Sequence, residues 1–253
     1  MAVLIVIQPR KMIPIEYIGP VPQKKRKKPV MGGWVIMLLA GIFVSYFAWP
    51  AFADLVKSSN DMPTDNKVEI AMSELSSSGK YSDRLAAAAL DRTRLGVIYD
   101  GSVYNNIGYP NGDISSDRGT STDMVVRAYR QLGVDLQMLI HEDMKENFHK
   151  YPQLWNQRQP DTNIDHRRVQ NQQRFFERHG VKLDNSRSTT DYSYGDIVVW
   201  SLPNGRPHIG VVVPGPGSHA AEVWVAHNNG SGPEWSNDLL TFTITGHYRY
   251  QGE

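Results

Sequence analysis

The chain has 253 residues, 40% of them apolar, which suits one compact domain with attachments and argues against wholesale disorder. Seven of its 27 Lys and Arg residues lie before residue 54 against a single acid, Glu16; the remainder is therefore net acidic and has no electrostatic footprint for nucleic acid. Cysteine is absent, which excludes disulfides and thiolate metal sites.

In chain order, residues 1–30 form a short tail rich in Pro and Ile, too short to fold alone. Residues 31–53, MGGWVIMLLAGIFVSYFAWPAFA, carry no charge, and a helix of about 20 such residues spans a bilayer core. The run Lys24-Lys25-Arg26-Lys27-Lys28 directly before them places the N-terminus in the cytoplasm and the rest outside it. Ala51-Phe52-Ala53 resembles a signal-peptidase site, but a lead of about 30 residues is long for a secretory signal, which favours an uncleaved anchor. Residues 54–80 are polar and read as a linker or a weak helix.

The domain proper is placed at 81–253. SDRLAAAALDRTRLG predicts a helix with Ser82 as N-cap and Gly96 as its stop. A Gly-, Asn-, Asp- and Pro-rich loop runs from Tyr99 to Gly119, followed by TSTDMVVRAYRQLG with Met124, Val125, Ala128, Tyr129 and Leu132 on one helical face. Two more helices are expected near Leu136–Phe148 and Val169–His179. Beyond Gly180 the pattern becomes short β-type runs: Asp196–Trp200, His208–Val213, Glu222–His227 and Leu240–Thr245. Helices first and an antiparallel meander afterwards predict an α+β domain.

Three residues form a constellation with chemistry in it. Ser121 opens the amphipathic helix, His208 opens a strand in PHIGVVV, and His227 closes the next in VWVAHNNG. A nucleophile at a helix N-terminus has backbone N–H groups and the helix dipole to stabilise developing negative charge. A strand histidine can act as its base, and a second polar group can orient that base. The plainer alternative is that Ser121 is a helix cap and the histidines pack structurally.

GDISSDRGTSTDMVVRAYRQLGVDLQ, HEDM, NIDHRRV, GDIVVW, HIGVVV, HNNG and ITGHYR occur in this order between about Leu85 and Arg249. This set resembles a YijF-type bacterial domain of unknown function, which looks like a branch of the NlpC-type papain-like cell-wall cysteine peptidases. The resemblance implies a papain-like fold with helices packed on a C-terminal antiparallel sheet. It also implies Ser121 in the nucleophile's place, His208 as base, His227 as its orienter, and Gly195-Asp196 as the turn into the strand before the base. NlpC-type sites carry a tyrosine ahead of the nucleophile that assists the oxyanion; Tyr109 is the candidate here and Tyr104 the alternative. The departure is at the nucleophile, because relatives read G-V-C-T-D where this chain reads Gly119-Thr-Ser-Thr-Asp123. A papain-like site works through a thiolate, which a serine hydroxyl does not form. Three explanations stand open: a replacement made to silence or trap the enzyme, a natural loss of activity, and a natural serine nucleophile.

Paired arginines bind carboxylates bidentately, so Arg167 and Arg168, with Asp123, are candidates for substrate binding; an internal ion pair with Asp165, Asp123 or Glu142 is the alternative for the arginines. Asp113, Asp117 and Arg118 either line the cleft or shape the loop. No metal site or cofactor is expected, since His141-Glu142-Asp143 with His149 lacks a recognised ligand spacing. Trp155, Trp200, Trp224 and Trp235 either stack on sugar rings or pack in the core, and His247 is read as structural. The reading that follows is a peptidoglycan amide hydrolase anchored in the inner membrane by one span, its domain periplasmic, acting for an envelope-spanning machine such as a secretion system. The competing reading is a non-catalytic module that binds wall peptides or a partner. An acyltransferase on the same fold is a third.

Overall fold

In the computed structural model the described residues are 64–217 and 222–252, with residue 19 and the helical stretches 37–39 and 41–43. The chain divides into two units, Met1–Ala53 and Asp54–Glu253. The expected tail, membrane span and possible cleavage point fall almost wholly outside the described residues. Among those residues no helix is long and apolar enough to cross a membrane.

The second unit opens with α1 (Asp65–Ser77), inside the stretch expected to be a linker or a weak helix. Thr64 caps it, and its buried Val68 and Leu75 join the main core, with Ala71 and Met72 packed against it. That i, i+3/i+4, i+7 stripe explains why a polar segment docks. In α2 (Tyr81–Thr93) the run Leu85–Leu90 is entirely buried. Helices α3 (Ser121–Gln131), α4 (Leu136–Asn147) and α5 (Val169–His179) follow. The side chain of Asp135 caps α4 by accepting from the N–H groups of Gln137 and Met138. Gly180 ends α5 by donating to Phe176 O.

Strands β1 (Ile98–Tyr99) and β2 (Arg118–Gly119) pair in parallel and close the long loop between α2 and α3. The main sheet has six strands: β3 (Val181–Lys182), β4 (Ile197–Ser201), β5 (Pro207–Pro214), β6 (Val223–Asn228), β7 (Pro233–Ser236) and β8 (Thr243–Arg249). Their order is β3-β8-β4-β5-β6-β7, with every neighbour antiparallel. The domain is therefore α+β, helices on one side of an antiparallel sheet. Side chains alternate along the strands: Ile197, Val199, Ile209, Val211, Val213 and Ala226 join the helical core. Val198, Trp200, Val212, Val223 and Val225 form a second core with Tyr192 and Leu239. The final strand lies three residues beyond its expected start because Leu239 is first drawn into that second core. There its carbonyl accepts from Trp200 Nε1 at 2.9 Å.

The turn into β4 is tightly constrained. Gly195 has φ 83°, and a Cβ there would lie 2.2 Å from Ser82 O, so only glycine fits. Buried Asp196 accepts from Arg249 Nε at 2.7 Å and pairs with His247 Nε2 at 2.9 Å. Burial alone would raise the Asp196 pKa, but the bonds from His247 and Arg249 outweigh it and the net shift is downward. His247 is thus an anchor between β8 and the β4 turn.

Candidate active site

Ser121 is the first residue of α3, behind Thr120 as N-cap. The carboxylate of Asp123 accepts from Thr120 N at 2.7 Å, half of a capping box. The N–H groups of Ser121 and Thr122 precede the first helical hydrogen bond of α3, Met124 N to Thr120 O, and are free to face an anion. Gly119 leaves room for this arrangement, since a Cβ on it would come within 3.0 Å of Asp123 Cβ and 3.1 Å of Arg127 Nη1.

His208 and His227 meet directly, with His208 Nε2 and His227 Nδ1 2.8 Å apart and both residues buried. The register pairs Trp200 with His208 and Gly210 with His227, which puts both rings on the sheet face that carries Trp200. A side chain at 210 would crowd them: a Cβ there lies 3.0 Å from His227 Cβ and 3.1 Å from Trp200 Cζ3. At the far side of the pair, His227 Nε2 lies 2.7 Å from Ser236 Oγ, which in turn lies 2.8 Å from Asp238 Oδ2.

This chain of contacts determines where the protons sit. The pKa of Asp238 is lowered to about 2, first by His227, whose Nε2 lies 3.6 Å away, and then by the hydrogen bond from Ser236, so its carboxylate is ionised and only accepts. Ser236 must then donate its proton to Asp238 and accept from His227 Nε2–H. In a neutral ring with Nε2 protonated, His227 Nδ1 is an acceptor, and His208 Nε2–H is the donor to it. The lone pair of His208 is left on Nδ1, which makes no hydrogen bond among the described residues. Burial, then the neighbouring His227, pull the pKa of His208 down to about 3, so its ring is a neutral base.

The N-terminus of α3 and the histidine pair are joined through Asn228, the residue after His227. Its Nδ2 donates to Gly119 O at 3.2 Å, two residues ahead of Ser121. The Ser121 hydroxyl itself makes no hydrogen bond to either ring among the described residues. A cavity of about 880 Å³ between residues 79–84 and 189–194 is lined by none of Ser121, His208 or His227. The case for the histidine cluster rests on its chemistry and not on cavity size.

The remaining expected residues are placed otherwise. Arg167 is not available to a substrate carboxylate. Its Nε and Nη2 grip Asp123 at 2.7 and 3.1 Å, and Nη1 and Nη2 donate to Ser102 O and Asp100 O. Both partners are buried, so Asp123 is equally committed, and the internal ion pair is the reading realised. Arg168 lies 3.9 Å from the ring centroid of half-exposed Trp155 and donates to Gln157 Oε1. Asn163 accepts from Ile107 N at 2.7 Å, so Asn163 and Arg167 of the NIDHRR segment hold the loop ahead of α3. Tyr109 is not brought to the cluster, because its hydroxyl donates to Glu142 on α4 at 2.6 Å. Tyr104 is tied to the loop ahead of Ser121 instead: its hydroxyl donates to Asp100 Oδ2 at 2.6 Å, and Asp100 N donates to Gly119 O. Trp200, Trp224 and Trp235 are buried and cannot stack on a sugar, which leaves Trp155 alone of the four exposed.

Asp113 holds the other half of that loop, gripped by Arg127 at 2.8 and 2.9 Å and by Arg130 at 2.9 Å. Asp117 accepts from Ser115 Oγ, and Arg118 lies 3.4 Å from Asp100. All three shape the loop. Sequence reasoning missed Glu234, Ser236 and Asp238. The only signal for them was the polar character of a short run between two apolar ones.

Among relatives, the uncharacterized protein YijF of Escherichia coli (strain K12) is 45% identical over 168 residues, 66% of this chain and 81% of that protein. No solved structure matches the chain. Residues 86–250, which contain the histidine pair, the α3 N-terminus and the Arg167 clamp, match the family described as a domain of unknown function, DUF1287, and the chain belongs to that family.

Proposed function

We propose that the domain is a papain-like peptidase of the bacterial cell wall in which Ser121 occupies the place of a cysteine nucleophile. The observation that carries this reading is the ordered relay Asp238–Ser236–His227–His208, tied to the start of α3 by Asn228, the residue after His227, whose side chain donates to Gly119 O. A relay of this kind suits a site that takes up or gives up a proton at its end. In the reaction, residue 121 attacks a stem-peptide or cross-bridge amide carbonyl and its proton passes to His208 Nδ1. The N–H groups at the start of α3 hold the oxyanion. His208 then protonates the leaving amine. Water hydrolyses the acyl-enzyme, again with His208 as base, and regenerates residue 121.

A thiol suits such a site better than a hydroxyl, because cysteine's pKa lies within reach of an imidazole's and serine's does not. The serine therefore silences the site, and the uncleaved N-terminal span would hold it on the periplasmic side of the inner membrane. A second reading is supported by the unbonded Ser121 hydroxyl: a disarmed cleft that binds wall peptides or a partner in an envelope-spanning assembly.

The test compares the full chain with its Ser121→Cys form on purified peptidoglycan, with released fragments read by mass spectrometry. Release by the cysteine form alone establishes a silenced cysteine hydrolase, and the fragment masses name the bond. Release by both makes serine a working nucleophile. If neither releases anything while both sediment with sacculi, the peptidase reading fails and the binding module stands.

A further inference from the structure

Beyond the histidine pair the relay opens onto three oxygen donors. His227 Nε2 lies 3.6 Å from Glu234 Oε1 and 3.6 Å from Asp238 Oδ2, and the three ligand atoms fall within 4.8 Å of one another. Two ligands on a tetrahedral Zn²⁺ at about 2.0–2.1 Å stand roughly 3.3 Å apart, so the nitrogen is already near metal-ligand spacing from each carboxylate. The imidazole is buried and held in place, while both carboxylates are partly exposed at 41% and 32% and Asp238 Oδ2 accepts from Ser236 Oγ at 2.8 Å. One buried nitrogen, two carboxylates and an open side form a three-ligand site of the kind that Zn²⁺ fills with water as its fourth ligand.

We propose that His227 Nε2, Glu234 and Asp238 bind a divalent transition-metal ion, and that binding reverses the proton direction of the histidine pair. A cation on Nε2 takes the position of that nitrogen's proton and displaces the Ser236 hydroxyl. The single ring proton of His227 moves to Nδ1 and now donates to His208 Nε2. His208 keeps its own proton by carrying it on Nδ1. No proton is gained or lost, but His208 Nδ1 no longer carries a lone pair. The metal site stands on its own geometry; only its consequence, an enzyme switched off by metal, rests on the peptidase reading.

Titration calorimetry of the full chain with ZnCl₂ is expected to show one site, with Zn²⁺ bound more tightly than Mn²⁺ as the usual metal ordering requires. The Glu234→Gln, Asp238→Asn double variant should bind Zn²⁺ at least about tenfold more weakly, since it loses two ligands where loss of an outer-sphere partner alone costs that much. Long-range ¹H–¹⁵N spectra give a readout that needs neither the variant nor any activity. Zn²⁺ should convert His227 from its Nε2-protonated to its Nδ1-protonated pattern, and His208 likewise. Zn²⁺ affinity unchanged in a folded double variant, or a His227 pattern unchanged at saturating Zn²⁺, overturns the site. Failure of the peptidoglycan assay would leave both readouts untouched.

Discussion

Arg167 is the residue for which sequence and structure imply opposite outcomes. As a substrate-binding arginine it would be dispensable to folding; as the structure has it, it is a buried clamp. Replacing it with Met removes two bonds to Asp123 and two to the carbonyls of Ser102 and Asp100. It also strands a buried carboxylate. Breaking one partner of a buried ion pair costs about 3–5 kcal/mol. Asp123 keeps its bonds from Thr120 N and Oγ1, at 2.7 and 3.0 Å, which places the expected loss near the lower end, about 3 kcal/mol. For a domain of this size that lowers Tm by roughly 6–12 °C. Removing the charge from both partners, in Asp123→Asn with Arg167→Met, should recover more than half of the loss, because no buried carboxylate is then left unpaired. Arg167→Lys should not rescue, since one ammonium cannot reproduce a bidentate grip plus two carbonyl contacts. Thermal melts of the full chain followed by circular dichroism measure all four. A single Arg167→Met variant that melts within a degree of the parent would refute the clamp and return Arg167 to the list of substrate contacts.

Other consequences can be checked in the same preparations. In a Ser121→Cys background, His208→Ala should reduce peptidoglycan release about 10²–10⁴-fold, the usual worth of a general base, while Ser236→Ala should cost less because it removes only the group that fixes the tautomer. Equal release from the His208 variant would exclude it as the base. Gly195→Ala should destabilise by at least about 2 kcal/mol in urea titrations, since the added Cβ meets Ser82 O at 2.2 Å and the φ of 83° is strained for alanine. A neutral result there would mean the β4 turn is free to shift. Stability should also depend on pH. Burial pulls the pKa of His166 down to about 4 from the ordinary 6.5, and His208 is shifted the same way. Between those values the unfolded chain holds more protons than the folded one, so stability is full above 6.5 and falls as the pH drops toward 4. Urea midpoints at pH 4.5 and 7 should show this slope, and His166→Gln should reduce it; an unchanged slope would clear His166 of the effect.

The elements read most easily from sequence are those whose residues face one environment along their whole length. Helices α3 and α5 combine clear apolar faces with a stop at or near glycine, and strands β4, β5 and β6 are largely apolar, with His208, His227 and Asn228 as exceptions, because both sheet faces are covered. Helix α1 was legible only as a weak segment, since its identity as core depends on a partner, α2, that a polar sequence does not announce. The short strands β1, β2 and β3 have two residues each and owe their pairing to neighbours distant in sequence, while the four-residue β7 forms a hairpin with β6.

The same division runs through the site. Local order along the chain was enough to single out Ser121, His208 and His227, because a helix start and two strand positions are local properties. Tertiary structure decided what surrounds them. It joined the two imidazoles at 2.8 Å, added Ser236 and Asp238 behind them, and so determined which nitrogen carries each proton. It also withdrew Arg167 and Asp123 into each other and turned Tyr109 toward Glu142. Whether a charged side chain meets a substrate or an internal partner depends on groups up to 67 positions away in the chain, as between Arg167 and Asp100. Spacing along one strand or helix carries no trace of such a partner, and only the folded chain brings the two together.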